Sequence, residues 1–263
     1  MMDAPAPATM DAPALLELVG VSKSFGGIQA VRDLTFRLAP GRVTGLVGPN
    51  GAGKTTMFNL VTGFLSADRG SIRYRERDIT GWPPYQISRV GIARSFQDVR
   101  IFPRMSALDN VMVAAQHQAG ENVLRATLGV TRVAREERQN RERSLAHLEF
   151  VGLADKALVF AQSLSYGEQK LLALARMLAT ESDCLLLDEP MAGLDPGTRR
   201  RINQLIRELV ARGKTVCLIE HNLDVVQEAC DWLAFLDQGR VVAEGLPSQI
   251  VGDPTLAEIY FGA

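Results

Sequence analysis

The chain has few cysteines, few aromatic side chains and almost no net charge. Cys184, Cys217 and Cys230 are its three cysteines, and they show no paired spacing. That argues against a disulfide framework, and a reduced, cytosolic protein is the simplest account. Aromatic residues make up 6% of the sequence and the formal net charge is −1, so nothing points to nucleic acid or an acidic membrane surface as the main partner. No apolar run reaches the roughly 18 residues that span a bilayer. The opening MMDAPAPATMDAPA is rich in Ala and Pro and lacks a basic start and an apolar stretch, so it is not expected to be a secretory signal. Residues 1–13 are therefore expected to form a disordered tail.

What remains is ample for a core. Hydrophobic residues are 46% of 263, a length that fits one α/β core plus an inserted subdomain. Leu15–Val19 and Ile28–Leu38 alternate like strands of an antiparallel sheet, with Phe25-Gly26-Gly27 as the turn between them. Arg42–Val47 reads as a buried strand and Lys54–Thr62 as a helix. Gly70–Tyr74 and Val90–Ser95 read as further strands around a Pro-rich turn at Trp82-Pro83-Pro84. From about Gln97 to Ser165 the pattern turns helical, with periods at Ala107–Gln118 and Thr131–Val151, and the mixed charges of Arg132–Arg143 read as a solvated helix face. After that come helix Tyr166–Ala179, strand Cys184–Asp188, helix Pro196–Ala211, strand Lys214–Glu220 and helix Asn222–Ala229. This alternation argues for a parallel sheet. Two short strands at Trp232–Leu236 and Arg240–Ala243 and two terminal helices close the domain.

The densest signal is Gly48-Pro49-Asn50-Gly51-Ala52-Gly53-Lys54-Thr55, which matches G-x-x-x-x-G-K-[ST]. Four fixed positions arise by chance in about 1 in 100 chains of this size, so the match is informative before its context is weighed. The context is strand, loop, helix, which is what a polyphosphate needs. Glycines let the backbone close around the phosphates, and successive N–H groups and the helix start face the anion. Lys54 would neutralise the β- and γ-phosphates, and Thr55 would place its hydroxyl on Mg²⁺.

In open α/β sheets ligands bind beyond the carboxyl ends of the strands. Three of the expected strands end there in polar residues: Val47 runs into the phosphate loop, Leu187 into Asp188-Glu189, and Ile219 into Glu220-His221. Asp188 is read as an oxygen ligand of Mg²⁺. Glu189 is read as the group that orients or deprotonates the attacking water. His221, one of three histidines, is read as a donor to the γ-phosphate. Leu164-Ser165-Tyr166-Gly167-Glu168 carries two readings: Ser165 and Glu168 have capping-box spacing, and the same capped N-terminus beside Gly167 suits an anion. Asp195-Pro196 is a good helix start, and any further role of Asp195 would be positional.

With these residues in place, the chain resembles the ATP-binding subunits of ABC transporters from about residue 15 to its end. The order of motifs carries the resemblance: the phosphate loop Gly48–Thr55, Gln97 as the loop glutamine, the signature Leu164–Glu168, Asp188-Glu189, the Ala192-Gly193-Leu194-Asp195 loop, and His221 as the switch histidine. It implies an α/β fold over residues 14–263: a P-loop NTPase core with an antiparallel β subdomain and an inserted α-helical subdomain at about 98–165. It implies ATP and Mg²⁺ as cofactors, with Thr55, Gln97 and Asp188 at the metal. It also implies a head-to-tail dimer in which Ser165 and Gly167 contact the γ-phosphate of the partner's ATP. Phe25 would stack on adenine, and Thr56, Gln97, Asp195 and His221 would line the nucleotide. Glu189, His221, Lys54 and Gln97 form the implied catalytic set.

Phe25-Gly26-Gly27-Ile28-Gln29-Ala30-Val31, Arg94-Ser95-Phe96-Gln97, Arg100-Ile101-Phe102 and the ending Tyr260–Ala263 resemble, more closely, the subunits that serve branched-chain amino-acid importers. Related subunits serve urea, amides and other small solutes. Partners implied are integral-membrane permease subunits, a second ATP-binding subunit in a homo- or heterodimer, and indirectly a periplasmic or extracellular solute-binding protein, with no nucleic acid. The implied location is peripheral, on the cytoplasmic face of the inner membrane. Arg100, Ile101 and Phe102 are candidates for the permease contact, or else pack internally. Two signature positions depart from the broad pattern, Tyr166 for glycine and Glu168 for glutamine, and Phe25 stands for the usual tyrosine. A non-transport ABC ATPase acting on ribosomes or DNA is the alternative, disfavoured by the single cassette and the absence of sustained heptads.

Overall fold

The computed structural model describes residues 13–116 and 130–261, which form two compact units. The tail expected over 1–13 lies, but for its last residue, outside the described residues. So do the last two residues of the helix expected over Ala107–Gln118.

The first unit joins the stretch before Tyr85 to the stretch after Leu209. Strands β1 (Leu16–Phe25), β2 (Ile28–Leu38), β4 (Arg69–Tyr74) and β5 (Arg77–Asp78) form an antiparallel sheet in the order β2-β1-β4-β5. The hairpin between β1 and β2 turns on Gly26 and Gly27, both at positive φ (54° and 87°), so that Phe25 faces Ile28. Two consecutive left-handed residues make the tight turn whose twist matches the flanking strands, and glycine adopts them without strain. Strand β1 runs well past the expected Val19, because Gly20 at φ 60° absorbs a register shift and pairing resumes at Val21.

The other layer of this unit is built on β3 (Val43–Val47), buried along its whole length. It lies between β8 (Thr215–Ile219) and β9 (Trp232–Asp237), parallel to both, and β10 (Arg240–Gly245) pairs antiparallel with β9. β8 is equally buried, which is why both strands read as unbroken apolar runs. Helix α1 (Lys54–Val61) follows β3 directly. Helices α7 (Leu223–Ala229), α8 (Pro247–Val251) and α9 (Pro254–Phe261) complete the unit.

The second unit spans Tyr85–Leu209. Its parallel pair, β6 (Ile92–Arg94) and β7 (Cys184–Asp188), is accompanied by α3 (Ala107–Met112), α4 (Val130–Val151), α5 (Tyr166–Leu178) and α6 (Pro196–Ala211), the last reaching just beyond the unit. Helix α2 (Pro84–Arg89) starts where only a turn was expected. Pro84 occupies the first helical position, where its missing N–H costs nothing. β6 starts later than expected because Gly91 sits at φ 105°. Helix α3 stops at Met112, shorter than its apolar period implied. Over 134–143, α4 is mostly exposed, in accord with the solvated charged face. The three cysteines are buried thiols. No helix among the described residues is long and apolar enough to cross a membrane.

Candidate functional site

In the first unit the phosphate loop leaves β3 at a backbone only glycine tolerates. Gly48 has φ 144°, and a Cβ there would stand 2.0 Å from the carbonyl oxygen of Leu236. The loop closes with Ala52 N–H donating to Pro49 O at 3.2 Å, and it is tied to the β9–β10 turn by Gly239 N–H donating to Ala52 O at 3.0 Å. Gly53, at φ 102°, is the N-cap of α1, and no side chain caps the helix start or puts an acid in its first turn. No side-chain cap or first-turn acid therefore competes with an anion at the start of α1. Lys54 is 6% exposed, and its ammonium folds back to donate to Gly48 O at 2.6 Å and Pro49 O at 2.9 Å. A buried cation beside an acid-free helix start fits a polyphosphate. Thr55 and Asn50 are exposed at the mouth of the loop, and Thr56 is half-buried.

Phe25 closes β1 with its ring 45% exposed. Lys23, which pairs with Asp68 at 2.7 Å, lies 5.7 Å from that ring's centre. His221 follows the buried Glu220 at the end of β8 and is pinned on two sides. Its carbonyl accepts the Tyr260 hydroxyl at 2.6 Å, and Asn222 caps α7 through the N–H groups of Asp224 and Val225.

In the second unit Gln97 and Glu189 meet: the Gln97 amide Nε2 donates to Glu189 Oε2 at 3.0 Å. Glu189 is one of the few non-glycine residues at positive φ, 47°, a conformation that surrounding contacts must hold. Asp188 ends β7 and is buried. Its Oδ2 accepts from Arg94 Nη2 at 2.8 Å, and its N–H donates to Ser95 Oγ at 3.0 Å. The Asp188 carboxylate and the Gln97 amide oxygen are hard oxygen donors of the type Mg²⁺ takes; within the first unit the Thr55 hydroxyl is another.

Ser165 caps α5 in a full capping box. Glu168 N–H donates to Ser165 Oγ at 3.4 Å, and Ser165 N–H donates to Glu168 Oε2 at 2.9 Å. The Lys156 ammonium also donates to Glu168, and this bond foremost holds the Glu168 carboxyl below its usual range. Gly167 lies against Thr198: a Cβ there would be 3.1 Å from its methyl group. Tyr166 reaches toward Gly193 and is 48% exposed. Asp195 caps α6, accepting from the Thr198 hydroxyl at 2.6 Å and from the N–H groups of Gly197 and Thr198. The hydroxyl bond foremost lowers its pKa. Both capping readings of the sequence are thus present in the geometry.

The sequence reading missed Arg94, Lys156 and Lys170. Lys170 is 7% exposed on α5 and donates to Gln97 O at 2.9 Å and Glu189 O at 3.4 Å. A signal existed: Lys170 falls in register with Leu174 and Met177 on the buried stripe of α5, where an ionisable residue needs a reason. Of the candidate permease loop, Arg100 stacks on Phe96 at 3.8 Å and Phe102 exchanges backbone hydrogen bonds with the Asn110 side chain, while the Phe102 ring stays 45% exposed.

The family model described as ABC transporter matches residues 31–192. The chain belongs to the ABC transporter family. Its activity is ATP hydrolysis coupled to transport. This ABC ATPase is 37% identical over 249 residues, 94% of its length and 98% of the relative's, to the high-affinity branched-chain amino acid transport ATP-binding protein LivG of Escherichia coli K12. It is equally similar to BraF of Pseudomonas aeruginosa, of the same description. It is 38% identical over 248 residues, 94% of its length and 97% of the relative's, to the lipopolysaccharide export ATP-binding protein LptB of Acidithiobacillus ferridurans. Among solved structures, a nucleotide-free ATP-binding cassette of an ABC transporter superposes with TM-score 0.83 at 32% identity, covering 95% of this chain and all of that one. A dimeric cassette in a post-hydrolysis state with ADP and phosphate gives 0.72 at 25%, covering 88% and 98%.

Proposed function

We propose that this ABC ATPase powers an importer of branched-chain or related hydrophobic amino acids. The similarity to LivG and BraF along nearly the whole of both chains carries this reading. It would act as a peripheral subunit on the cytoplasmic face of the inner membrane, paired with a second ATP-binding subunit and two permease chains, with a solute-binding protein delivering the amino acid. The dimeric relative supports the pairing. The exposed Phe102 ring is the permease contact in this reading.

ATP brings the phosphoryl group to be transferred, and Mg²⁺ offsets its charge. Lys54 and the first N–H groups of α1 bind the terminal phosphates. Pro49, Asn50, Gly51, Ala52 and Thr56 complete the cradle, and Phe25 stacks on adenine. Thr55, Asp188 and Gln97 would hold the cation through oxygen. Glu189 takes the proton of the water whose oxygen attacks the γ-phosphorus, as the bond to ADP's oxygen breaks. Gln97, already bonded to Glu189, orients that water, and His221 holds the γ-phosphate. Ser165 and Gly167 meet the partner's nucleotide across the dimer, and Asp195 fixes the start of α6 beside them.

The similarity to LptB favours a second reading, an ATPase for lipopolysaccharide export. Tagged Glu189→Gln protein, captured with MgATP from detergent-solubilised native membranes, distinguishes the two. Co-purification of two permease chains and a second ATPase, and loss of leucine uptake on deletion, support import. A single ATPase type with export permeases overturns it. Glu189→Gln should also cut turnover at least about 10²-fold with nucleotide binding kept, as loss of a general base does.

A further inference from the structure

Lys170 lies one helical turn into α5, below the capping box of Ser165 and Glu168. It is one of the residues lining a small apolar cavity, with Ser95, Phe96, Leu174, Leu187 and Pro190. Burying an ammonium beside it is costly unless its donors are used. The ammonium spans two segments far apart in sequence, donating to the carbonyl of Gln97 at 2.9 Å and to the carbonyl of Glu189 at 3.4 Å. The ring of Tyr166, one turn back on the helix, lies 5.6 Å from it, within cation–π range. The two residues whose carbonyls it holds are the same two whose side chains meet at 3.0 Å. One of them, Glu189, has a left-handed backbone at φ 47°. A non-glycine residue keeps such a backbone only where neighbours over-determine it.

We propose that Lys170 is a positioning residue for hydrolysis: its ammonium clamps the backbones of Gln97 and Glu189 and so sets the Glu189 carboxylate for the attacking water. This rests on the reading of Glu189 as the base. It deepens that reading by giving α5, which carries the signature residues Ser165 and Gly167 at its start, a direct hold on the catalytic glutamate. Lys170 touches neither nucleotide nor water in this account and acts through the two carbonyls alone.

The test compares Lys170→Met, which keeps the bulk and removes the ammonium, with Lys170→Gln, which keeps N–H donors but no charge, each with and without Glu189→Gln, in steady-state ATP hydrolysis by the full chain. Misplacement of a catalytic group predicts a fall in kcat of about 10- to 100-fold for Lys170→Met, with KM for ATP within about twofold. Lys170→Gln should recover part of the rate. Lys170→Met in the Glu189→Gln background should add no further loss, since groups acting as a unit are non-additive. Turnover of both variants near wild type, a rise in KM instead of a fall in kcat, or losses that multiply in the double variant would each overturn the proposal. The two readings fail differently: near-normal turnover in Glu189→Gln removes the base and this inference with it, while slow Glu189→Gln beside fast Lys170→Met removes the inference alone.

Discussion

Arg94 Nη2 stands 2.8 Å from Asp188 Oδ2, and both side chains are only 5% exposed. The pair joins the ends of β6 and β7, and Ser95 Oγ completes the link by accepting the Asp188 N–H. One carboxylate oxygen of the proposed Mg²⁺ ligand is therefore already committed to a guanidinium. A buried pair adds little over an apolar replacement, but breaking it leaves a lone buried charge, at about 3–5 kcal/mol. Arg94→Ala should lower stability by that order in urea titration, while Arg94→Lys loses less. An unmoved midpoint for Arg94→Ala would mean that water already reaches Asp188.

The phosphate loop makes a sharper demand on sequence. At Gly48 both the backbone angle, φ 144°, and the space, with Leu236 O 2.0 Å from where a Cβ would stand, reject a methyl group. Gly48→Ala should therefore cost at least about 2 kcal/mol, and the variant that folds should bind ATP weakly. Gly51→Ala meets nothing within 4 Å but shares the positive φ of 81°, so it should lose only the strain cost. Thermal melts with and without MgATP separate the two.

The contrast between Gly48 and Lys170 explains what was legible in the sequence. The phosphate loop, β3 and α1 are consecutive, so spacing alone shows the backbone that the chemistry requires. The capping box at Ser165 and the Asp195 cap each span three residues and are equally readable. β2 and β7 followed from local alternation and apolar runs. Arg94–Asp188 and Lys170 with Gln97 and Glu189 join residues 94, 73 and 19 positions apart. No local period encodes such partners, and a lysine in an apolar stripe says only that a partner exists. The short α2 was hidden for a different reason: the Trp82-Pro83-Pro84 run that signals a turn also supplies the favoured first residue of a helix.

Glu168 offers a pH handle on the signature helix. The Lys156 ammonium, then the Ser165 N–H and hydroxyl, hold its folded pKa below the ordinary value of 4.5. A lowered native pKa contributes stability that is fully present above the ordinary value and is lost as pH falls through the native one. Stability of the wild type should therefore decline below about pH 4.5 more steeply than that of Glu168→Gln, with the two curves parallel above it. Melting temperatures across an acid series measure this, and identical slopes would show that the Lys156 contact is not kept in solution.

Tyr260 tests the loop that carries His221. Its hydroxyl donates to the His221 carbonyl at 2.6 Å, and its ring meets Phe235 edge-on with centres 6.2 Å apart. Tyr260→Phe keeps the ring contact and removes one hydrogen bond, which is worth about 0.5–1.5 kcal/mol. Tyr260→Ala removes both and should cost more. If His221 acts on the γ-phosphate, loosening its backbone should slow turnover in Tyr260→Phe by about 2- to 10-fold, the kinetic equivalent of the same energy, without changing ATP affinity, because Lys54 and the loop amides are untouched. Calorimetric binding beside steady-state turnover reads both quantities. Weaker binding with unchanged turnover would place the contribution of His221 in the ground state, and no change in either would show that the Tyr260 hydroxyl does not hold the loop.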